Sequence, residues 1–141
     1  MPTAQEILRS KGPAIHCVQP TDSVLSALGV MADHDIGAVL VMNDAKLVGI
    51  FTERDYARKV VLAGRSSRDS QVADVMTHVV CVAPYRSLED CMALMTEKRV
   101  RHLAVVDHKR VVGVVSIGDL VKETIADQHF TITQLQLYIA G

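Results

Sequence analysis

Two heptapeptides carry the side chains best placed to do chemistry: Gly49-Ile50-Phe51-Thr52-Glu53-Arg54-Asp55 and Gly113-Val114-Val115-Ser116-Ile117-Gly118-Asp119. Each joins a glycine in an apolar run to a hydroxyl and then, three residues on, to an aspartate. Two chemistries use that spacing. In a capping box the hydroxyl accepts from backbone N–H groups of a new helix while the acid reaches back to the N-cap. In a nucleotide site the N–H groups and positive potential of the helix start suit a phosphate. The hydroxyl then donates to that phosphate, and the aspartate accepts both hydroxyls of a ribose, as an acidic residue does in dinucleotide folds. Retention of the aspartate in both heptapeptides favours nucleotide binding.

Other residues form weaker constellations. Asp33-His34-Asp35 reads as a solvated helix end rather than a metal site. The six histidines show no paired ligand spacing, which argues against structural zinc. Cys17, Cys81 and Cys91 contain no CxxC pair and read as reduced thiols packed as small hydrophobes. Cys17 and Cys81 fall at equivalent strand positions, and a redox role would need a lowered thiol pKa. No nucleophile–base set is visible around Ser116, Cys91 or the histidines, so no enzyme is expected. Arg54, Arg58, Lys59, Arg65 and Arg68 read as a solvated basic face.

The elements that must position the two heptapeptides are themselves duplicated. Shifting the sequence by 64 residues lays 15–56 over 79–120 without a gap, and nine of the 42 positions are identical. Among them are Cys17/Cys81, Pro20/Pro84, Met31/Met95, Gly49/Gly113 and Asp55/Asp119. A lead-in also recurs, as Glu6-Ile7-Leu8 and Asp74-Val75-Met76, with a different spacer. Each copy predicts a short strand (15–18; 79–82) that ends at a proline. A helix follows, with apolar residues at 24, 27, 28 and 31 or at 88, 91, 92 and 95. Ser87 with Asp90 has the spacing of a capping box. Two β-rich runs then form a hairpin (38–42 with 47–51; 103–106 with 111–115) around polar turns. A second helix starts near Asp55 or Asp119, and Gly64 is its stop in the first copy.

The unit is therefore β-α-β-β-α. Polar residues 65–70 link the copies, and 131–139 predict a last short helix. In chain order the expected boundaries are 1–64 for the first motif with an N-terminal helix, 65–126 for the linker and second motif, and 127–141 for a helical tail. One unit of about 45 residues buries too little to stand alone. An α+β (α/β sandwich-like) module with pseudo-two-fold symmetry is expected.

Composition bounds the function. The 141 residues are 49% hydrophobic and 22% charged, ordinary for a globular domain. Apolar runs reach about five residues, against the ~20 of a membrane span. The first six residues carry an acid and no apolar stretch, so no signal peptide is expected and the localisation expected is cytoplasmic. Fifteen basic and sixteen acidic residues leave a net charge of −1. That lacks the cationic excess of nucleic-acid domains. Neither a membrane nor a nucleic acid is an expected partner.

The duplicated unit and its G-h-h-[ST]-x-x-D ending resemble a tandem pair of cystathionine-β-synthase (CBS) domains, over about Thr3 to Glu123. The stretch 52–60 resembles that of stand-alone bacterial CBS-pair proteins. The resemblance implies a regulatory, non-enzymatic sensor of adenine nucleotides: AMP, ADP or ATP, with NAD(H) as a further candidate through its adenosine half. It implies that Asp55 and Asp119 hold ribose hydroxyls in two clefts between the motifs, and that Thr52 and Ser116 meet phosphate. Ile36-Gly37-Ala38 and Val100-Arg101-His102 would line the adenine pocket. Arg54, with Arg99 or Arg101, would neutralise phosphate. Gly118 stands where the first copy has Arg54, and Tyr85-Arg86 where it has Thr21-Asp22, so unequal clefts are expected. A homodimer through the helices, read by an effector protein, is implied. A constitutive docking scaffold, with both aspartates as caps, is the alternative.

Overall fold

The computed structural model describes residues 2–140. In chain order its elements begin with α1 (Ala4–Lys11), β1 (Cys17–Val18), α2 (Val24–His34), β2 (Ala38–Asn43) and β3 (Lys46–Thr52). They continue with α3 (Glu53–Asp55), which widens into a π-helical stretch (Tyr56–Val61), and α4 (Val72–Val75). The second copy supplies β4 (Cys81–Val82), α5 (Leu88–Lys98), β5 (His102–Asp107), β6 (Arg110–Ser116) and α6 (Ile117–Ala140). The fold is mixed α and β, with two three-stranded sheets in the orders β1-β2-β3 and β4-β5-β6.

The same local physics builds both copies. β1 lies parallel to β2, which requires the crossover that α2 provides, and β2 turns back antiparallel as β3. β4, α5, β5 and β6 repeat this, with the bulge at the same place: between Val41 and Met42, and between Val105 and Val106. The second hairpin turns on His108 and Lys109, both with positive φ, the backbone twist that matches a two-residue turn to its strands. Ser23 and Ser87 cap α2 and α5, accepting from the N–H groups of Ser26 and Asp90. The first copy's last helical stretch ends where Gly64 takes positive φ.

Two compact units result, 15–79 and 2–14 together with 80–140. The grouping shows what the lead-ins do. In the 15–79 unit, Val72 and Ala73 donate main-chain bonds to Asp22 and Pro20. In the other unit, Ala4 and Gln5 donate to Arg86 and Pro84, the matching positions. Thus α1, which precedes the first copy, covers the second, while α4 covers the first. Their side chains fill matching core places: Val72 and Val75 join Val18, Val24, Met31 and Phe51, whereas Ala4 and Ile7 join Val82, Leu88, Met95 and Val115. Where Phe51 becomes the smaller Val115, Leu88 replaces Val24 and Cys91 replaces Ala27, so bulk lost at one place is restored at others.

Two expectations are corrected. Residues 131–139 are not a separate short helix, because α6 runs unbroken from Ile117 to Ala140 with no proline or glycine between Asp119 and Ala140 to interrupt it. Cys17 and Cys81 are exposed rather than packed inside, because strand alternation turns Val18 and Val82 inward and the cysteines outward. Cys91 alone is buried, and burial pushes its thiol pKa up.

Candidate functional site: two strand–helix junctions

The first heptapeptide leaves the sheet at Thr52 and enters α3. Thr52 N–H donates to Asp55 Oδ2 at 3.0 Å, and the Thr52 hydroxyl donates to the same oxygen at 3.1 Å. Asp55 N–H donates back to the Thr52 hydroxyl at 3.1 Å, completing a capping box. Asp55 Oδ1 accepts from the Thr77 hydroxyl at 2.6 Å and lies 3.3 Å from Lys59 Nζ. The residue is 5% exposed, so both carboxylate oxygens are engaged inside the unit.

The second junction repeats the box with different neighbours. Ser116 N–H donates to Asp119 Oδ2 at 2.8 Å, and Asp119 N–H donates to the Ser116 hydroxyl at 3.1 Å. The remaining partner comes from α1: Lys11 Nζ donates to Asp119 Oδ2 at 2.9 Å and to the Val114 carbonyl at 2.9 Å. These bonds converge on one oxygen, and 23% of the Asp119 side chain stays accessible. Burial works to raise the Asp119 pKa, but the Lys11 hydrogen bond and charge, with the Ser116 N–H, outweigh it and hold the group below the ordinary carboxylate value.

The segments entering the central strands sit beside these junctions. Glu53 N–H donates to the Gly37 carbonyl at 3.1 Å, and Ala38 pairs with Thr52 across the hairpin. Ile117 N–H donates to the Arg101 carbonyl at 2.8 Å, and His102 pairs with Ser116. Ile36, Gly37, Ala38 and Thr52 are therefore gathered around Asp55, and Val100, Arg101, His102 and Ser116 around Asp119. Ile36 and Val100 are half-buried against the cores of their units. Arg54 and Arg101 are exposed. His102 is held below its ordinary pKa, first by burial and then by the Lys11 charge, with Asp119 opposing and Arg101 adding to the shift.

Sequence reading missed three residues at the junctions: Lys11, Lys59 and Thr77. Lys59 lies one turn beyond Asp55, an i,i+4 spacing that was readable. The repeated lead-in was the available signal for the other two, because each follows it closely in the chain. Among the described residues, no group of three or more His, Cys, Asp or Glu gathers to hold a metal ion. No helix of the described residues is long and apolar enough to cross a membrane.

The model of the CBS domain matches the chain twice, over residues 5–62 and 72–125. The chain belongs to the CBS domain family. It is a CBS pair, a regulatory module with one motif for each copy of the duplicated unit. The mitochondrial CBS domain-containing protein CBSX3 of Arabidopsis thaliana is 35% identical over 150 residues, a match covering 99% of this chain and 72% of that protein. A protein with CBS domains from Burkholderia ambifaria is 49% identical with a TM-score of 0.86, over 89% of this chain and 96% of that one. A CBS domain protein of Pyrobaculum aerophilum complexed with AMP shares the fold at a TM-score of 0.75 and 22% identity, over 83% and 88% of the two chains.

Proposed function

We propose that this CBS pair is a non-catalytic sensor of adenine nucleotides, and that its second junction is the better prepared of the two. The carrying observation is the state of the two carboxylates. Asp55 has both oxygens engaged and its side chain is 7% exposed, which suits a permanent cap. Asp119 spends its side-chain bonds on Oδ2 and remains partly accessible. Its Oδ1 is then the natural acceptor for one ribose hydroxyl, and Oδ2 takes the other once Lys11 turns away. Lys11 offers an ammonium on a flexible stem, able to turn from Asp119 to a phosphate. Arg101 adds positive charge nearby, and a largely neutral His102 gives the adenine a polar edge without a competing cation.

The ligand class is AMP, ADP or ATP, with NAD(H) meeting the same contacts through adenosine. The AMP-complexed Pyrobaculum aerophilum protein supports the class. Binding favours one arrangement of the module, which a second subunit of a homodimer or an effector protein reads. The response can be no larger than the ligand's differential affinity for the two states. Asp119→Ala removes about two charge-assisted hydrogen bonds of ~1.5 kcal/mol each, weakening AMP binding roughly 100-fold by calorimetry. An unchanged affinity with an intact fold contradicts the ribose role.

The closed capping box at Asp55 favours a second reading, a constitutive docking scaffold. Thermal shifts with AMP, ATP, NAD, NADH and S-adenosylmethionine separate the readings, since a ligand of the native state raises the melting temperature. A flat response across the panel supports the scaffold.

A further inference from the structure

The outer part of α6 carries a pattern that the junctions do not use. From Val121, apolar side chains recur at Ile125, Ile132, Leu135 and Ile139, with Gln128 in the remaining place, a 4-3-4-3-4 spacing. That is a heptad repeat, with isoleucine at each a position and Val121, Gln128 and Leu135 at d. The five apolar side chains are uncovered, from 44% exposed at Val121 to 82% at Ile139, while Leu120 is the helix's buried residue. Residues 128–140 contain no Asp, Glu, Lys or Arg. A lone helix in water gains little from so apolar and uncharged a surface.

We propose that residues 121–140 of α6 pair with the same segment of a second copy as a parallel, two-stranded coiled coil. Isoleucine at every a position, with leucine at one of the three d positions, favours two parallel strands, and a lone polar core residue favours one register at a cost in stability. Gln128 meets its own counterpart only when the helices run parallel and in register. Each seam side chain offers on the order of 100 Å² of accessible surface, so two helices with their flanking residues clear the roughly 1,000 Å² of a specific interface. Of the positions flanking the seam, only Lys122 carries a permanent charge, so no like-charge pair opposes a second copy. The inference stands independently of nucleotide binding.

Disulfide trapping in the intact chain tests it, with Cys17→Ser and Cys81→Ser removing the exposed thiols. In that background, Ile139→Cys and Val121→Cys each form a reducible dimer on mild oxidation, and a mixture of the two forms no 121–139 product. Adding Ile132→Glu to Ile139→Cys abolishes the dimer, Ile132→Val keeps it, and Phe130→Glu, on the other flank of the helix, leaves it intact. A cooperative melt of the Ile132→Glu variant shows that the unit cores still fold. Absence of self-linked product, a 121–139 product, persistence in Ile132→Glu or loss in Phe130→Glu overturns the proposal. So does sedimentation of the intact chain with phosphatidylserine vesicles in place of cross-linking, which reassigns the apolar face to a lipid surface.

Discussion

Lys11 and Asp119, 108 residues apart in the chain, meet at 2.9 Å, and the same ammonium caps the Val114 carbonyl. In the other unit those two duties belong to Thr77, whose N–H donates to the Ile50 carbonyl at 2.9 Å and whose hydroxyl donates to Asp55. A main-chain bridge with a short side chain in one copy is thus replaced by a single long, flexible side chain in the other. Asp55 is held on both oxygens, whereas Asp119 is held on Oδ2 and keeps 23% of its side chain accessible.

Lys11→Met removes an ion pair that is partly accessible at both ends, so it costs about 0.5–1 kcal/mol at pH 7. The Asp119 pKa is lowered in the folded chain, so its contribution is present above the ordinary carboxylate value and fades as pH falls through the lowered one. Urea denaturation should show the gap between wild type and variant closing below about pH 4. A gap that persists in acid places the loss in the Val114 carbonyl bond or in packing of the lysine stem.

The lowered His102 pKa gives a second titration. The unfolded chain takes up this proton first as pH falls, so His102 makes stability decline from about pH 6.5 downward. His102→Gln should flatten that slope in melts between about pH 7 and 5. In Lys11→Met, NMR titration should show the His102 pKa moving up, because the lysine charge contributes to the depression.

Gly49 and Gly113 mark where the lead-ins press on the sheets. A Cβ at Gly113 would lie 2.6 Å from Leu8 Cδ2, at the movable end of a side chain. One at Gly49 would lie 2.8 Å from Met76 Sδ and 3.0 Å from the Thr77 carbonyl oxygen, which is main chain. Gly49→Ala should therefore cost about 1–3 kcal/mol and Gly113→Ala less. Adding Leu8→Ala should recover much of the Gly113→Ala loss, a coupling that a double-mutant cycle measures.

Asp55→Ala strips the capping box and leaves the exposed Thr77 hydroxyl with its Lys59 contact, at about 1–2 kcal/mol. Chemical denaturation should show this loss with little change in AMP affinity. Asp119→Ala should lose AMP affinity roughly 100-fold, with a smaller stability cost from its more accessible cap and ion pair.

The repeat, the strand–helix order and the hairpins were legible because side-chain period and turn chemistry are local, and each was present twice. Residues 36–38, 52 and 55 come together because strand pairing brings Ala38 opposite Thr52, and that register follows from the hairpin. The exchange of lead-ins was not legible. Ile7 and Val75 are interchangeable apolar residues, and nothing in their neighbourhoods says which sheet each covers. Lys11 escaped notice for the same reason, since its partners lie 103 and 108 residues away. The unbroken α6 was hidden by the family pattern, which ends near Glu123 and invites a boundary that no residue there enforces.

The most direct test of the central claim is calorimetric titration of the intact chain with AMP, wild type beside Asp119→Ala. Saturable binding that weakens roughly 100-fold in the variant, with its melt preserved, is the expected result. Absence of heat with AMP, ADP, ATP and NAD(H) alike, or equal affinity in the two proteins, would contradict the account.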